Sequence, residues 1–305
     1  MDITLALGGG GVRGVAHIGV IRTLEDHGFI IRAISGTSAG GIVGAVYAAG
    51  FSTSKLETIV VELDQDRSYE RHQNDGPSLL GIANIEEKLT NILSEKTFDE
   101  LKIPCAVTAG CLETGQEIIL HQGKVVEALL ATIAVPGIFP SQKLGGRLLI
   151  DGGILDPVPI QVARWLEPDL PVVAVSLHKP QHDFVMSEAD FPIPIPGPAH
   201  IIEQLVNLRP VQAFRIFNRA IEISGRHLAK LNINLYQPEV LIEPEVGHIG
   251  LLQTIDIDEM IHEGMRAAEM SLSLIEAEGN WKRKIKRRVK RYVQPHPYPD
   301  YWGNI

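Results

Sequence analysis

Two glycine-rich turns, each entered from a short apolar run, constrain this chain more than any other feature. Ile3-Thr4-Leu5-Ala6-Leu7 leads into Gly8-Gly9-Gly10-Gly11-Val12-Arg13-Gly14, and a helical pattern then runs from Val15 to His27 and stops at Gly28. Ile30 to Ser35 leads into Gly36-Thr37-Ser38-Ala39-Gly40, followed by a small-residue helix to about Ala49 and closed by Gly50. Strand, turn and helix repeated at once predict a parallel sheet, because a strand that returns parallel needs a crossover helix. The uncharged run from Ala33 to Ser54 is long enough to cross a bilayer. Its glycines and serines fit a strand, a tight turn and a buried helix better.

The rest of the chain extends the same pattern. Asn84 with Glu87 predicts a capping box for an amphipathic helix carrying Ile85, Leu89, Ile92 and Leu93. Strands are predicted at 103–108 and 117–121, then a helix from Val125 to about Ala134. Arg147 to Ile150 reads as a strand stopping at Asp151-Gly152-Gly153, Val158 to Trp165 as a helix, and Val172 to Val175 as the most central strand. Helical patterns return at 201–230, with Phe214, Phe217 and Ile221 on one face, and at about 257–276, with a strand at Val240-Leu241-Ile242 between them. Before them, from Pro180 to Pro198, the pattern breaks: Ile193 to Pro198 can form neither helix nor interior strand, and the length of the connection predicts a lid over a site, with a plain surface excursion as the alternative.

With 305 residues, 45% of them hydrophobic, the chain can bury one large core with a small appendage. Its net charge of −9 argues against a nucleic-acid partner. The charge is uneven: eight Lys and Arg and no acid fall between 282 and 291. Trp281, Ile285, Val289 and Tyr292 stand at helical spacing among these cations, the pattern of an interfacial helix on anionic lipid, with a solvated basic tail as the alternative. Cys105 and Cys111 are too few for a stapled secreted domain and read as reduced, buried thiols. No signal-peptide pattern opens the chain, so the expected location is cytoplasmic, with peripheral contact at the inner membrane surface.

Gly36-Thr37-Ser38-Ala39-Gly40 is a G-x-S-x-G pentapeptide between an apolar strand and a helix, where a sharp turn projects a nucleophilic serine. The bland alternative is a turn with a capping serine. The amides of the first glycine cluster can supply donors for an oxyanion beside Ser38. Gly9, Gly11 and Gly14 also satisfy G-x-G-x-x-G, but the second strand ends in Ser35-Gly36 where a dinucleotide site needs an acid. For the base, a late histidine of the α/β-hydrolase kind does not suit a serine preceded by only one strand-helix unit. Asp151, at a strand end before Gly152 and Gly153, is the better candidate if apolar surroundings raise its basicity; a plain turn is the alternative. His17 lies inside the first helix and reads as structural.

Gly9-Gly10-Gly11-Val12-Arg13-Gly14, Gly36-Thr37-Ser38-Ala39-Gly40 and Asp151-Gly152-Gly153, in this order, resemble the patatin-like phospholipase family. Ala131-Thr132-Ile133-Ala134-Val135-Pro136-Gly137-Ile138-Phe139-Pro140 and Asp156-Pro157-Val158-Pro159 extend the resemblance, which is closest to the bacterial, neuropathy-target-esterase-like branch. It covers roughly residues 3–275 and implies an α/β fold, a three-layer α/β/α sandwich with a mostly parallel central sheet; with the charge pattern of the tail, the expected organisation is a catalytic domain at 1–280 and a basic amphipathic extension at 281–305. It implies Ser38 as nucleophile, Asp151 as its base, and Gly9, Gly10 and Gly11 as the oxyanion hole. Gly14, Gly36, Gly40, Gly152 and Gly153 support these motifs, and Arg13 either holds its loop or meets a phosphate. The implied activity is hydrolysis of phospholipid or lysophospholipid acyl esters with no metal or cofactor. A thioesterase or acyltransferase with the same dyad and a non-catalytic lipid-binding protein are the alternatives. The branch includes dimers, so a second copy is an expected partner beside membrane lipid. Thr132 stands where serine is common in the family, and Gly110-Cys111 where Thr-Asp is.

Overall fold

The computed structural model describes residues 1–65, 70, 75–178 and 208–293. The expected lid at 180–198, the start of the expected helix at 201–207 and the aromatic end of the chain lie outside the described residues. The strands are β1 (Asp2–Leu7), β2 (Ile30–Thr37), β3 (Cys105–Cys111), β4 (Glu117–Leu120), β5 (Gln142–Leu144), β6 (Arg147–Asp151), β7 (Val172–Val175) and β8 (Val240–Ile242). The helices are α1 (Ala16–Asp26), α2 (Ala39–Ala48), α3 (Thr53–Gln65), α4 (Ala83–Leu93), α5 (Val125–Thr132), α6 (Ile160–Leu166), α7 (Arg209–Tyr236), α8 (Ile257–Glu269), α9 (Leu272–Ala277) and α10 (Trp281–Val293).

The strands form one sheet in the order β5-β6-β3-β2-β1-β7-β8, with β4 on β3. Pairings among β3, β2, β1, β7 and β8 are parallel, and the pairs of β3 with β4, β3 with β6 and β5 with β6 are antiparallel. The centre is therefore β1 and β2 rather than β7, which lies between β1 and β8. Strand alternation sorts side chains to two faces. Ile3, Leu5, Leu7, Val173 and Val175 join the main core with Ile18, Ile21, Val43, Leu129 and Met260. Ala6, Val172 and Ala174 face the other way, against Ile160 and Ala163 of α6 and Ala229 of α7. Helices on both sides of a mostly parallel sheet make the α/β/α sandwich.

Several local expectations differ from the structure. The helix expected to be capped by Asn84 with Glu87 starts two residues earlier, with Ile82 at its cap and no side-chain cap. A capping box forms instead at Thr97 and Glu100, before a single 3-10 turn. The helix expected at 257–276 is two, α8 and α9, with the break at Met270 and Ser271. Phe217 does not share the buried face of α7 with Phe214: it is exposed, while Phe214 packs on the core. The hairpin of β5 and β6 turns at Gly145 and Gly146, both with positive φ.

Candidate active site

The sheet brings the candidate residues together through β3. Thr37 at the end of β2 is the parallel partner of Thr108, and Asp151 at the end of β6 is the antiparallel partner of the next residue, Ala109. β4 also pairs with Thr108 and Ala109, so it takes the other edge of β3. β2 and β6 thus share one edge of β3 and meet end to end, carboxyl end to carboxyl end. Ser38 follows the one and Asp151 closes the other.

Ser38 adopts φ 52° and ψ −123°, a left-handed region that costs a residue with a Cβ of order 1–3 kcal/mol. Its side chain makes no cap bond to α2, so the capping-serine alternative does not describe it. The backbone instead carries the turn: Gly41 N–H donates to the Ser38 carbonyl at 2.9 Å, and Ser38 N–H donates to Thr132 Oγ1 at 2.9 Å. Gly40 permits the close approach of α2 to the sheet, since a Cβ there would stand 2.3 Å from the Leu7 carbonyl oxygen. Gly14 faces Ala39, and Gly36 faces the backbone of Gly40 and Gly41, in the same crowded corner.

Asp151 is buried, and burial pushes its carboxyl up to about 6 from 3.8, against opposing hydrogen bonds from the Ser38 side chain and the Gly153 amide. The Gly153 N–H reaches Oδ1 at 2.7 Å, so Asp151 caps the turn it begins and also meets Ser38. Gly152 lies flat against Thr108, where a Cβ would come within 2.3 Å of Oγ1.

Ser38, Asp151 and Gly153 line a cavity of about 290 Å³ with Gly9, Gly10, Gly11, Arg13 and Gly14 of the glycine loop. Its remaining wall is mostly apolar, including Ile42, Val60, Ile133, Phe139, Ile221 and Leu252. The three expected oxyanion donors are not equivalent. Gly9 N–H is committed to the Pro157 carbonyl at 2.9 Å, whereas the amides of Gly10 and Gly11 have no acceptor among the described residues. Arg13 holds the loop: fully buried, it donates from Nε to the Gly10 carbonyl at 3.0 Å and from Nη1 to Leu177 at 3.5 Å. It also faces Glu222 of α7 at 3.7 Å. Burial lowers its pKa to about 10, which leaves it charged at neutral pH. His17 is likewise structural, donating from Nε2 to the Gly8 carbonyl at 2.8 Å and kept neutral by burial, with a pKa of about 4. Among the described residues, no group of three His, Cys, Asp or Glu side chains is placed to hold a metal.

Sequence reasoning missed the residues that brace the turn. Thr132 accepts from Ser38 N–H and donates to the Thr108 carbonyl at 2.6 Å, so one hydroxyl ties the serine backbone to β3. Thr37 donates to the Asp156 carbonyl at 2.8 Å and accepts from Thr108 Oγ1 at 2.7 Å. His178 also lines the cavity, and both its ring nitrogens are buried with no partner among the described residues. Burial, then the charges of Arg13 and Arg226, pushes it down to about 3. Thr132, Thr37 and Asp156 stood in motifs that carry the family resemblance but had no role attached, and His178 carried no signal.

Residues 5–164 match the family model described as patatin-like phospholipase. An uncharacterized NTE family protein of Mycobacterium tuberculosis is 38% identical over 179 residues, 58% of this chain and 49% of that protein. Mouse patatin-like phospholipase domain-containing protein 6 is 28% identical over 174 residues, 53% of this chain and 12% of that protein. The chain thus spans about half the length, or less, of these curated relatives. The crystal structure of VipD from Legionella pneumophila is similar with a TM-score of 0.55 at 13% identity, over 90% of this chain and 67% of that one, a likeness of fold. With a family model matching over half its length and the sheet and turns described above, this chain belongs to the patatin-like phospholipase family.

Proposed function

We propose that the chain is a serine lipid acyl hydrolase that cleaves acyl esters of phospholipids or lysophospholipids through a Ser38–Asp151 dyad. The observation that carries the reading is a serine on a strained strand-to-helix turn, set beside a desolvated carboxyl group that its side chain acts on, on the wall of an apolar cavity. Ser38 Oγ attacks the ester carbonyl carbon while Asp151 takes the hydroxyl proton. The amides of Gly10 and Gly11 and the amino end of α2 face the oxygen that becomes negative. When the tetrahedral intermediate collapses, the carbon–oxygen bond to the leaving alcohol breaks and Asp151 returns the proton to that alcohol. Water then attacks acyl-Ser38 with Asp151 as base, and fatty acid leaves as the serine is restored. A carboxyl group held near 6 is mostly ionised at neutral pH and more basic than an ordinary aspartate, as this role requires.

The basic tail fits the same substrate. Trp281, Ile285 and Val289 stand out from α10 and are at least half exposed, while Arg283 and Arg287 turn back to Glu278. We propose that this apolar stripe and its cations contact an anionic membrane surface. Among the described residues, no helix is long and apolar enough to cross a membrane.

The test incubates wild type and Ser38→Ala with vesicles of mixed-acyl phosphatidylcholine, phosphatidylethanolamine and phosphatidylglycerol and identifies products by mass spectrometry. Free fatty acid and lysolipid from wild type alone are expected. Equal, negligible release from both proteins rejects the phospholipid reading; acyl groups appearing on an added alcohol or thiol identify a transferase.

A further inference from the structure

The longest helix among the described residues, α7, has two faces of different use. Its inner side supplies Ile221, Glu222 and Gly225 to the cavity wall and Ala229 to the core beneath the sheet. Its outer side carries Ile216, Phe217, Ile223, Leu231 and Leu235, each at least half exposed, from 50% at Phe217 to 69% at Leu235. At 100° per residue these five fall within a sector of about 120°, one stripe along the helix. A stripe of this size on a chain in water marks a surface that is covered in use.

Charge selects what covers it. Glu222 is the only acid among the 28 residues of α7, and it points inward to Arg13, Arg219 and Arg226. The exposed side carries Arg209, Lys230 and His227 and no carboxylate, on a chain whose net charge is −9. Apolar side chains edged by cations suit an anionic bilayer interface, where the stripe enters the acyl boundary and the cations meet headgroups. A second copy docked by the same face would set these cations against one another. Because a helix is only about 10 Å across, a bilayer on the outer face lies about that distance from the cavity wall on the inner one.

We infer that the outer face of α7 is a docking surface for anionic membrane lipid, which brings the bilayer against the cavity independently of the basic tail. This deepens the reading of the substrate as membrane lipid, and its test runs without turnover.

In the full chain carrying Ser38→Ala, a polarity-sensitive dye is attached at Ile216→Cys or Ile223→Cys, and at Asp26→Cys as a control. Cys105 and Cys111 are buried, so the added thiol takes the label. Asp26 ends α1, one helix length from the glycine turn at which that helix begins. Vesicles containing phosphatidylglycerol are expected to shift the emission of the dye at 216 and 223 to the blue and to leave the dye at 26 unchanged. Ile216→Glu with Phe217→Glu is expected to lower the co-sedimenting fraction constant about tenfold or more. Vesicle binding with no spectral change at 216 and 223 overturns the inference and assigns all contact to the tail. A dimer in sedimentation velocity that the Glu pair dissociates overturns it too, and makes the face an interface between copies. Blue shifts in a protein whose wild type releases no fatty acid sustain the docking surface and reject the proposed activity.

Discussion

Asp151 shows how a buried carboxylate and a stable fold pull against each other. Its ionised form has given up water for the Gly153 amide and the Ser38 hydroxyl, and its folded value of about 6 lies above the ordinary 3.8. A raised value means that this group's contribution to stability is fully present below the ordinary value and is lost as pH rises through about 6. Asp151→Asn keeps an acceptor for Gly153 and removes the buried charge. It is expected to abolish turnover yet stabilise the chain by about 1–3 kcal/mol near pH 8, with the gain vanishing near pH 4. Thermal melts of both proteins at the two pH values check this, and equal stability near pH 8 contradicts it. In wild type, kcat/KM on a soluble ester is expected to rise through about pH 6 as the base ionises. Ser38 and Asp151 were legible as candidates because their neighbours are glycines at strand ends. Thr132 was not, because its partner, the Ser38 amide, is 94 residues away in sequence.

At the scale of elements, the crossing of α1 and α8 departs most from what local preference allows. A Cβ at Gly19 would stand 2.0 Å from the Ile261 carbonyl oxygen, and one at Gly264 would stand 1.9 Å from that of Ala16. The two helices therefore touch backbone to backbone, with a glycine from each at the contact. On propensity alone, alanine at either position gains up to about 1 kcal/mol. Here the neighbour is backbone and cannot turn aside, and overpacking of this kind costs about 1–3 kcal/mol or more. Gly264→Ala is expected to lower the urea midpoint; an unchanged or higher midpoint shows that the helices can separate freely. The same limit explains the Asn84 and Phe217 expectations. A pattern predicts that a helix exists and where its apolar residues fall, but its neighbours decide which face is covered and which residue caps it.

Across the whole molecule, the face of the sheet away from the main core holds a buried acid pair that binds distant parts together. Asp156, after β6, accepts from Asn232 of α7 at 2.9 Å and lies beside Glu117 of β4, whose charge acts on it. Burial drives both upward, Glu117 to about 7 and Asp156 well above its ordinary value; the charge of Glu117 raises Asp156 further, while Asp156 works against the rise at Glu117, so the pair keeps a proton near neutral pH. Tyr236 is the other titratable group beside them. Raised values again place this stability at low pH, lost as pH rises through about 7 and beyond. Wild type is expected to melt at a lower temperature near pH 8.5 than near pH 5.5, and Glu117→Gln to flatten that slope. A slope unchanged in Glu117→Gln assigns the pH dependence to other groups.

The sequence alone determined the class of fold, the two glycine turns and the serine and aspartate at strand ends, because backbone freedom, strand alternation and helical spacing are local properties. It also determined the isolated charge of the tail. Only the tertiary structure decided that β2 and β6 meet end to end along β3, which puts Asp151 against Ser38. It alone committed the Gly9 amide to Pro157, turned Arg13 into a brace of the loop, and left the outer face of α7 uncovered. These outcomes depend on which distant groups reach one another once the sheet has closed, and hydrogen bonds and burial between residues far apart leave no periodic trace in the chain.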